Sequence, residues 1–427
     1  MDAQNTEASQ LSESKPDVAK QGQNPVPQHW LNRNVVGMGL TSLLSDAGHE
    51  MATAVMAGFL AVLGAPVYAL GVIEGVSDAL SSFVKLGAGW WSDRIGHRKA
   101  ITTAGYALTG SAFVLFAAAV TWPLVLVGRT VAWFGRGVRG PLRDAMLAES
   151  VAPGDRGKAF GFHRAGDTLG AIIGPLMAAG LMFLLRPYAS ENPSMPFRII
   201  FLLTLVPGLG SAVAFALMVT EERRSANHGI KFWASVRALP HSFRRFLVGV
   251  GVFGAGDFSH TLLILAATQL LTGSLGAVTA AQVAALLYAL RNVLYTAASY
   301  PVGALSDRFS RRGLLVAGYV LAAAVMFGFV VTFAIGTSSI VLLAVLFGLA
   351  GVFIAVEDAL EGVLTADLVS DESNRGTAYG VMGTVNGVDD FISSAVVGVL
   401  WSFSPEIGFA YAGLTMLFGA VLLYRVQ

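Results

Sequence analysis

The feature that most constrains this chain is a series of twelve apolar segments, each about as long as a helix that crosses a lipid bilayer. A spanning helix needs about 20 mostly apolar residues. Breaking the sequence at polar and Pro/Gly clusters predicts spans at 35–62, 68–91, 100–120, 124–148, 159–185, 197–219, 246–272, 281–303, 314–335, 339–366, 377–403 and 407–424. The sequence therefore predicts an all-α polytopic membrane protein.

Composition excludes several other classes of protein. Charged residues make up 13% of the chain and hydrophobic residues 54%, whereas a soluble domain has about 25% charged residues. This excludes a soluble enzyme, a disordered chain and a protein that binds nucleic acid through a basic surface. Because the chain has no cysteine, a disulfide scaffold, a thiolate metal site and a cysteine nucleophile are excluded too. The sequence carries no motif for nucleotide binding, a serine nucleophile or a metal hydrolase, so we expect neither an enzyme nor a cofactor.

Two polar segments organise the chain. Residues 1–33 have mixed charge and no apolar core, which predicts a disordered cytoplasmic tail rather than a secretory signal. Residues 220–245 predict a cytoplasmic central loop between six-helix bundles at 34–219 and 246–427. Lys and Arg concentrate on the loops of one side of the predicted spans. The positive-inside rule then places both termini in the cytoplasm of a bacterial cell, with the chain in its inner membrane.

The sequence repeats itself at half its length. The stretch 89–99 reads Gly-Trp-Trp-Ser-Asp-Arg-Ile-Gly-His-Arg-Lys, and 303–312 reads Gly-Ala-Leu-Ser-Asp-Arg-Phe-Ser-Arg-Arg, displaced by 214 residues (303 − 89). The pair of Asp and His at 46–49 recurs at 257–260 in the same order along the chain. Two homologous halves are typical of secondary transporters, whose sites lie between the halves near the middle of the membrane.

These stretches resemble the signature of the major facilitator superfamily in the loop between spans two and three, and its second-half copy. The resemblance implies twelve transmembrane helices in two pseudo-symmetric six-helix bundles that alternate their access between the two sides. It assigns gating to residues at the helix ends, where acids and arginines can latch neighbouring helices; direct substrate contact is the alternative. The gating residues are Gly89, Asp93, Arg94, Gly96, Arg98, Asp307, Arg308 and Arg312.

Span five carries a second, narrower resemblance. Gly161, Gly170, Gly174 and Pro175 resemble the antiporter motif of the drug/proton exporter branch of that superfamily. Its physical content is a face of small residues that lets helices approach closely, with a proline that bends the span. The resemblance implies export of the substrate in exchange for protons.

Charged residues inside the predicted spans are the candidates for function, since a charge at the centre of a membrane helix costs about 2.5–3.5 kcal/mol on insertion scales. Helical spacing places several acids and histidines on shared faces. Neighbouring carboxylates resist ionising together, so such a group can exchange a proton near physiological pH. Structural ion pairing is the alternative reading for part of this set. The proton-coupling candidates are Asp46, His49, Glu50, Glu74, Asp78, His163 and Asp167.

A second set of charged residues predicts the substrate site. Shifting the sequence by 218 residues (357 − 139) aligns Arg139 with Glu357 and Arg143 with Glu361. The cavity between the halves would then be basic on one wall and acidic on the other. An alternative role for the arginines is structural pairing with nearby acids. Asp389 and Asp390 are further charged residues inside a span, and capping of a bent helix is the alternative to a functional role for them. The substrate-binding candidates are Arg139, Arg143, Asp257, His260, Arg291, Glu357 and Glu361.

Two functions remain open at this stage. The first is a proton-coupled exporter of a small organic molecule. The second is a divalent metal exporter for Fe²⁺ or Mn²⁺, with Asp46, His49, Asp257 and His260 as oxygen and nitrogen ligands; if the substrate is organic, we expect no metal site. In either case we expect a monomer whose partners are a small substrate, protons and the lipid bilayer, with no nucleic acid.

Overall fold

The computed structural model describes residues 29–95, 98–152, 155–190, 192–221, 239–306, 308–369 and 372–425. The regular elements of these residues are helices. They are α1 (Arg33–Val62), α2 (Val67–Ile95), α3 (Arg98–Ala118), α4 (Trp122–Glu149), α5 (Arg156–Leu184), a 3₁₀ turn (Arg186–Ser190), α6 (Met195–Leu203), α7 (Leu205–Met218), α8 (His241–Gly254), α9 (His260–Leu275), α10 (Ala277–Ser306), α11 (Arg311–Ala334), α12 (Ile340–Leu368), α13 (Glu372–Trp401) and α14 (Pro405–Arg425).

These helices form twelve spans, because α6 and α7 together make the sixth span and α8 and α9 the seventh. The predicted all-α fold is confirmed, and the span ends lie within about five residues of those predicted from hydropathy. In the described residues, eight of the spans are long and apolar enough to cross a membrane by composition alone. The other four are α1, α4, the seventh span and α13. Buried charged residues lie in α1, α4 and α13, and the seventh span is interrupted between Gly254 and His260.

Hydrogen bonds between helix ends define two faces of the bundle. On the face that carries both ends of the described chain, the terminal face, Arg33 donates to the carbonyl of Leu217 at 2.7 Å and Arg312 to that of Tyr424 at 3.1 Å. On the opposite, distal face, Arg198 donates to the carbonyl of Ala117 at 2.5 Å. The terminal face is the one that the sequence predicts to be cytoplasmic, and this orientation stays a prediction.

The two halves are in close backbone contact toward the distal face. At the distal end of α2, a Cβ on Gly75 would lie 2.9 Å from the carbonyl oxygen of Phe391 on α13, and one on Gly71 would collide with the backbone at Ser394. Toward the terminal face, no described atom lies within 4 Å of a Cβ placed on Gly140 of α4 or Gly380 of α13. The halves are therefore in close contact toward the distal face, and the described backbone at Gly140 and Gly380 has space beside it.

The seventh span is broken between Gly254 and His260, where the chain leaves the helix for five residues. Span eleven satisfies the freed backbone groups. The Ser393 hydroxyl donates to the carbonyl of Asp257 at 2.9 Å, and the amide of Ser259 donates to the Ser394 hydroxyl at 3.0 Å. Broken helices occur at membrane depth where the irregular backbone lines a cavity, and this break places Asp257–His260 between the halves.

The predicted tail and central loop fall largely on residues outside the described ranges. Residues 1–28 and 222–238 are not described, whereas α1 begins at Arg33 and α8 begins at His241, inside the predicted loop. The two-bundle boundaries therefore stay a prediction.

The gating residues fall at helix ends on the terminal face. Gly89, Asp93 and Arg94 lie in the last turns of α2, but the side chains of Asp93 and Arg94 are not described. Gly96 and Asp307 lie outside the described residues. Arg98 begins α3 and forms an ion pair with Glu149 of α4 at 2.8 Å. Arg308 is exposed in the turn before α11.

Candidate functional site

Two adjacent cavities, which we call lobes, lie at the break in the seventh span. The first, which we call the mixed lobe, has a volume of about 210 Å³. The second, the acidic lobe, has a volume of about 190 Å³. The residues that line both lobes are Asp257, Ile354 and Asp390. Since they share three wall residues, the two lobes are adjacent.

Carboxylates dominate the acidic lobe. Its described lining consists of Val250, Gly254, Asp257, Ile354, Glu357, Asp358, Asn386, Asp389 and Asp390. Five of these nine residues are acids and none is Lys, Arg or His. The predicted candidates Asp257 and Glu357 are in this wall, and so are Asp389 and Asp390, for which the sequence left capping as an alternative.

The mixed lobe joins charged groups to an apolar surface. It is lined by Glu74, Asp78, Trp133, Asp257, Phe258, Ser259, His260, Leu263, Arg291, Met326, Phe353, Ile354 and Asp390. Arg291 is 8% exposed, donates to Asn292 at 3.1 Å through Nη1 and leaves its Nε without a described partner. The His260 ring stacks on Tyr288 with centroids 4.9 Å apart. The predicted candidates Asp78, His260 and Arg291 therefore share one wall.

A buried ion pair of the N-terminal half borders the mixed lobe. Arg129 and Glu74, respectively 0% and 1% exposed, are 3.0 Å apart. Arg129 also donates to the Thr53 hydroxyl at 3.0 Å and lies over the Trp133 ring. The Ser259 hydroxyl donates to the same Glu74 oxygen at 3.1 Å. Glu74 thus connects three elements, α2, α4 and the broken seventh span.

The three titratable residues of α1 have separate partners. Asp46 lies 3.6 Å from Arg136 of α4. His49 is 2% exposed and stacks on Trp133 with centroids 4.5 Å apart. Glu50 accepts a hydrogen bond of 2.8 Å from the Tyr288 hydroxyl of α10, in the other half of the molecule.

Span five packs on α1 through the predicted motif. A Cβ on Gly170 would lie 2.5 Å from the carbonyl oxygen of Leu43, and one on Gly174 would lie 2.6 Å from that of Ala47. Gly174 and Pro175 lie inside the continuous helix α5. Gly161, in contrast, has no described atom within 4 Å of a Cβ placed there, so only part of the motif makes the close approach.

The remaining proton-coupling candidates lie beside this helix contact. His163 is 4% exposed, and its Nδ1 lies 3.6 Å from Asp167. Asp167 accepts a hydrogen bond from the Ser42 hydroxyl of α1. This pair lies between α1 and α5 and does not line either lobe.

The arginines proposed to contact substrate lie away from both lobes in this arrangement. Arg139 is 2% exposed, with its guanidinium carbon 3.9 Å from the centre of the Tyr106 ring. Arg143 forms an ion pair with Asp144 at 2.8 Å. Glu361 likewise lies behind the acidic lobe, where it accepts hydrogen bonds from Tyr319 at 2.5 Å and Asn386 at 3.2 Å.

The halves are also linked on the terminal side of the cavity. Tyr295 of α10 donates to Asp358 at 2.7 Å and accepts from Arg164 of α5 at 3.1 Å. Arg164 and Asp358 are 3.6 Å apart, and their side chains are 63% and 50% exposed. This link is therefore only partly buried.

The four residues proposed as metal ligands either contact other side chains or line the lobes. Asp46 is paired with Arg136 and His49 is stacked on Trp133. Within the described ranges, no group of three or more His, Cys, Asp or Glu side chains is arranged to hold a metal ion.

Sequence reasoning missed several groups that complete the site. Tyr288, Ser259 and Asn386 are uncharged and sit in apolar or small-residue runs, so a search for ionisable residues passes over them. Arg129 was visible as a charge inside a predicted span. Its helical neighbours gave no sign of Glu74, because that partner lies on another helix.

Comparison with known proteins identifies the family. The model of the Major Facilitator Superfamily matches residues 38–259 and again residues 247–427, one match for each half. The chain belongs to the Major Facilitator Superfamily. It is therefore a multi-pass secondary transporter of small molecules and not an enzyme, as members of this superfamily are transporters.

Two relatives and one solved structure illustrate the similarity. The chain is 30% identical over 394 residues to an uncharacterized MFS-type transporter of Methanocaldococcus jannaschii, covering 92% of this chain and 94% of that one. It is 24% identical over 361 residues to the citrate-proton symporter of Klebsiella pneumoniae, covering 79% and 78%. The peptide transporter POT, solved in complex with sulfate, superposes with a TM-score of 0.74 at 14% identity, covering 92% and 94%. This last similarity concerns the fold alone.

Proposed function

We propose that this transporter exports a small organic molecule in exchange for protons. The observation that carries the proposal is the hydrogen bond between Glu50 of the N-terminal half and Tyr288 of the C-terminal half. It joins the halves beside the mixed lobe, since Tyr288 stacks on the wall residue His260. A carboxylate accepts a hydrogen bond much more strongly than a neutral carboxylic acid does, so proton binding to Glu50 weakens a contact that must break for the distal face to open.

Antiport requires that the carrier changes conformation only when it holds a proton or a substrate. The Glu50–Tyr288 bond meets this requirement, because it is strongest when Glu50 is deprotonated and the cavity is empty. Protonation releases it directly. Substrate can release it through His260, whose ring stacks on Tyr288 and also lines the mixed lobe.

Glu50 lies among charges of both signs, which act in opposite directions on its ionisation. Asp46 lies one turn away on α1, while Arg136 and Arg129 approach from α4, so Glu50 feels one negative and two positive neighbours. Glu50 is 8% exposed in the closed arrangement, and opening of the distal face would admit water to it. Asp46, which is paired with Arg136, would also bind and release protons.

Two further supports come from similarity. One relative is named as a proton symporter, which favours the proton as coupling ion. The small-residue face of span five, which packs on α1 through Gly170 and Gly174, resembles the antiporter motif and favours exchange over symport.

The test is solute flux in proteoliposomes under an imposed pH gradient, with citrate, myo-inositol and hexylguanidinium as anionic, neutral and cationic probes. A transported solute should accumulate on the acidic side of the membrane, and it should alkalinise that compartment as it enters. The double variant Asp46→Asn/Glu50→Gln should lose pH-driven flux but keep solute–solute exchange. If this variant keeps pH-driven flux, or if solute and protons move in the same direction, the proposal is wrong.

Tyr288→Phe is the matched companion variant. It removes the hydroxyl that donates a hydrogen bond to Glu50 and keeps the ring on which His260 stacks. We expect protons to leak through it without substrate, because the empty carrier is no longer held closed. A tightly coupled Tyr288→Phe protein would contradict this role of the bond.

The proposed cytoplasmic location of the terminal face can be tested directly, because the chain contains no cysteine. Ser190 on the distal face and Phe309 on the terminal face are both exposed, so each can be replaced by a single cysteine. In intact cells a membrane-impermeant maleimide should label Ser190→Cys and spare Phe309→Cys. The reverse pattern would invert the orientation.

A further inference from the structure

The acidic lobe has a hydrogen-bonding character that identifies the chemistry of its ligand. Three atoms of its lining residues are buried and have no hydrogen-bond partner in the described structure: Glu357 Oε2, Asp389 Oδ2 and Asn386 Oδ1. All three are acceptors. Buried polar atoms are nearly always hydrogen-bonded in native proteins, so a lobe that presents only unsatisfied acceptors is suited to a ligand that supplies donors.

The orientation of Asn386 follows from its second contact. Its Nδ2 donates to Glu361 at 3.2 Å. Because Glu361 also accepts from Tyr319, it takes the donor end of the amide, and the carbonyl end is left for the lobe. Asp389 is itself 8% exposed, so its free oxygen is a buried group that points to a missing partner.

The charge of the lobe is also uncompensated. Of its five acids, Asp358 has Tyr295 and Arg164 as partners. Arg291 stands on the neighbouring wall, in the mixed lobe with Asp257 and Asp390. This leaves Glu357 and Asp389 without a cation among the described residues. An isolated buried charge is costly, and a bound cation removes that cost.

We propose that the acidic lobe binds the protonated primary amine or guanidinium group of an organic cation, whose N–H donors meet Glu357, Asp389 and Asn386. The proposal rests on the proposed function, since it names the substrate class of that transporter. A quaternary ammonium carries the same charge but has no N–H, so it leaves the three acceptors unsatisfied.

The mixed lobe accommodates the remainder of such a cation. The mixed lobe, which shares Asp257 and Asp390 with the acidic lobe, is also lined by Phe258, Met326 and Phe353. These side chains give an apolar surface of the kind that binds a short hydrocarbon chain or a ring. The ligand that fits both lobes is a small amphiphilic amine with the cationic group at one end.

The test measures binding, without any gradient, to the full-length protein in nanodiscs by isothermal titration calorimetry. The probes are hexylammonium, hexylguanidinium, hexyltrimethylammonium and hexanol. Hexylammonium and hexylguanidinium should bind, hexyltrimethylammonium at least tenfold more weakly, and hexanol not measurably. Equal affinity for the trimethyl compound, or no binding of either N–H cation, would overturn the proposal.

Variants locate the binding group. Asp389→Asn and, separately, Glu357→Gln should each weaken hexylguanidinium binding at least tenfold while thermal unfolding shows a folded protein. The matched control is Asp367→Asn, an acid that is exposed on the terminal face and paired with Arg311, where affinity should not change. Unchanged affinity in both folded lobe variants would contradict the assignment.

The outcomes separate this proposal from the exchange mechanism. If N–H cations bind through Asp389 but cause no proton movement in proteoliposomes, the lobe assignment stands and proton exchange fails. If another solute drives proton movement and the N–H cations do not bind, proton exchange stands and the lobe assignment fails.

Discussion

The two halves place buried side chains of opposite charge against a tyrosine. In each half the tyrosine lies on the third span and the charged residue on the fourth. In the first half, Tyr106 packs its ring under the guanidinium of Arg139. In the second half, Tyr319 donates its hydroxyl to Glu361 at 2.5 Å. The half-repeat aligns these two tyrosines, and it aligns the span-four arginines with the span-ten acids.

The difference concerns how fully each charge is compensated. The described buried charges of the N-terminal half have an ion-pair partner, an aromatic ring or a hydrogen bond, as Arg129 has both Glu74 and Trp133, although single atoms such as Glu74 Oε1 have no described partner. In the C-terminal half, Glu357 and Asp389 keep unpartnered oxygens in a cavity wall. We infer that the first half uses its charges for structure and coupling, whereas the second half keeps charges available for a ligand.

The largest effect should come from breaking the compensated pair. Arg129→Met leaves Glu74 ionised and buried, and removing one partner of such a pair costs about 3–5 kcal/mol. Thermal unfolding of the purified protein should show a large loss of stability. The double variant Arg129→Met/Glu74→Met should be more stable than the single variant, because no lone charge remains. A single variant as stable as the wild type would show that the pair is not structural.

The two tyrosines offer a matched test of intermediate size. Tyr319→Phe removes a hydrogen bond to a buried carboxylate and should cost about 1.5–3 kcal/mol. Tyr106→Phe keeps the ring under Arg139, and its hydroxyl has no described partner, so its cost should stay within about 0.5 kcal/mol. Equal losses in the two unfolding measurements would remove the distinction between the halves.

A smaller effect of opposite sign is expected in the acidic lobe. Asp389→Asn replaces an unpartnered buried carboxylate by a neutral amide of the same shape, which should stabilise the protein by about 1 kcal/mol at neutral pH. The unfolding temperature of the empty protein should rise, although ligand binding weakens. A clear loss of stability would mean that Asp389 has a structural partner.

The smallest effects belong to the ion pairs on the terminal face. Arg98–Glu149 and Arg311–Asp367 occupy related places in the two halves, with side chains 11% and 34% exposed in the first and 35% and 46% in the second. Exposed pairs contribute about 0–1 kcal/mol. Glu149→Gln should therefore cost slightly more than Asp367→Asn, and both costs should shrink in high salt. An effect above that range in either variant would indicate a larger gating contribution.

Much of the fold could be predicted from the sequence, because a spanning helix has a fixed length and a strong hydropathy signal. The break in the seventh span could not. Gly256 lies in this break, and a Cβ there would lie 2.6 Å from the carbonyl oxygen of Ala412 on α14. Such a contact between distant segments leaves no trace in a hydropathy pattern.

The site was predictable in its charged members and not in its pairing. Asp257, Arg291 and Glu357 were recognisable because charges inside a span are costly and must face a cavity or a partner. Which charge faces the cavity depends on helix rotation and on distant partners. Arg139 faces Tyr106 and Glu357 faces the acidic lobe, although the repeat aligns the two positions.

The uncompensated acidic lobe also has a consequence for the energy of the transport cycle. A carrier that returns with its lobe empty and ionised moves negative charge through the membrane field, and each elementary charge that crosses the full field is worth about 2.3 kcal/mol per 100 mV. A return with bound protons moves less net charge. The membrane voltage, and not only the pH difference, would therefore set the rate at which this transporter resets.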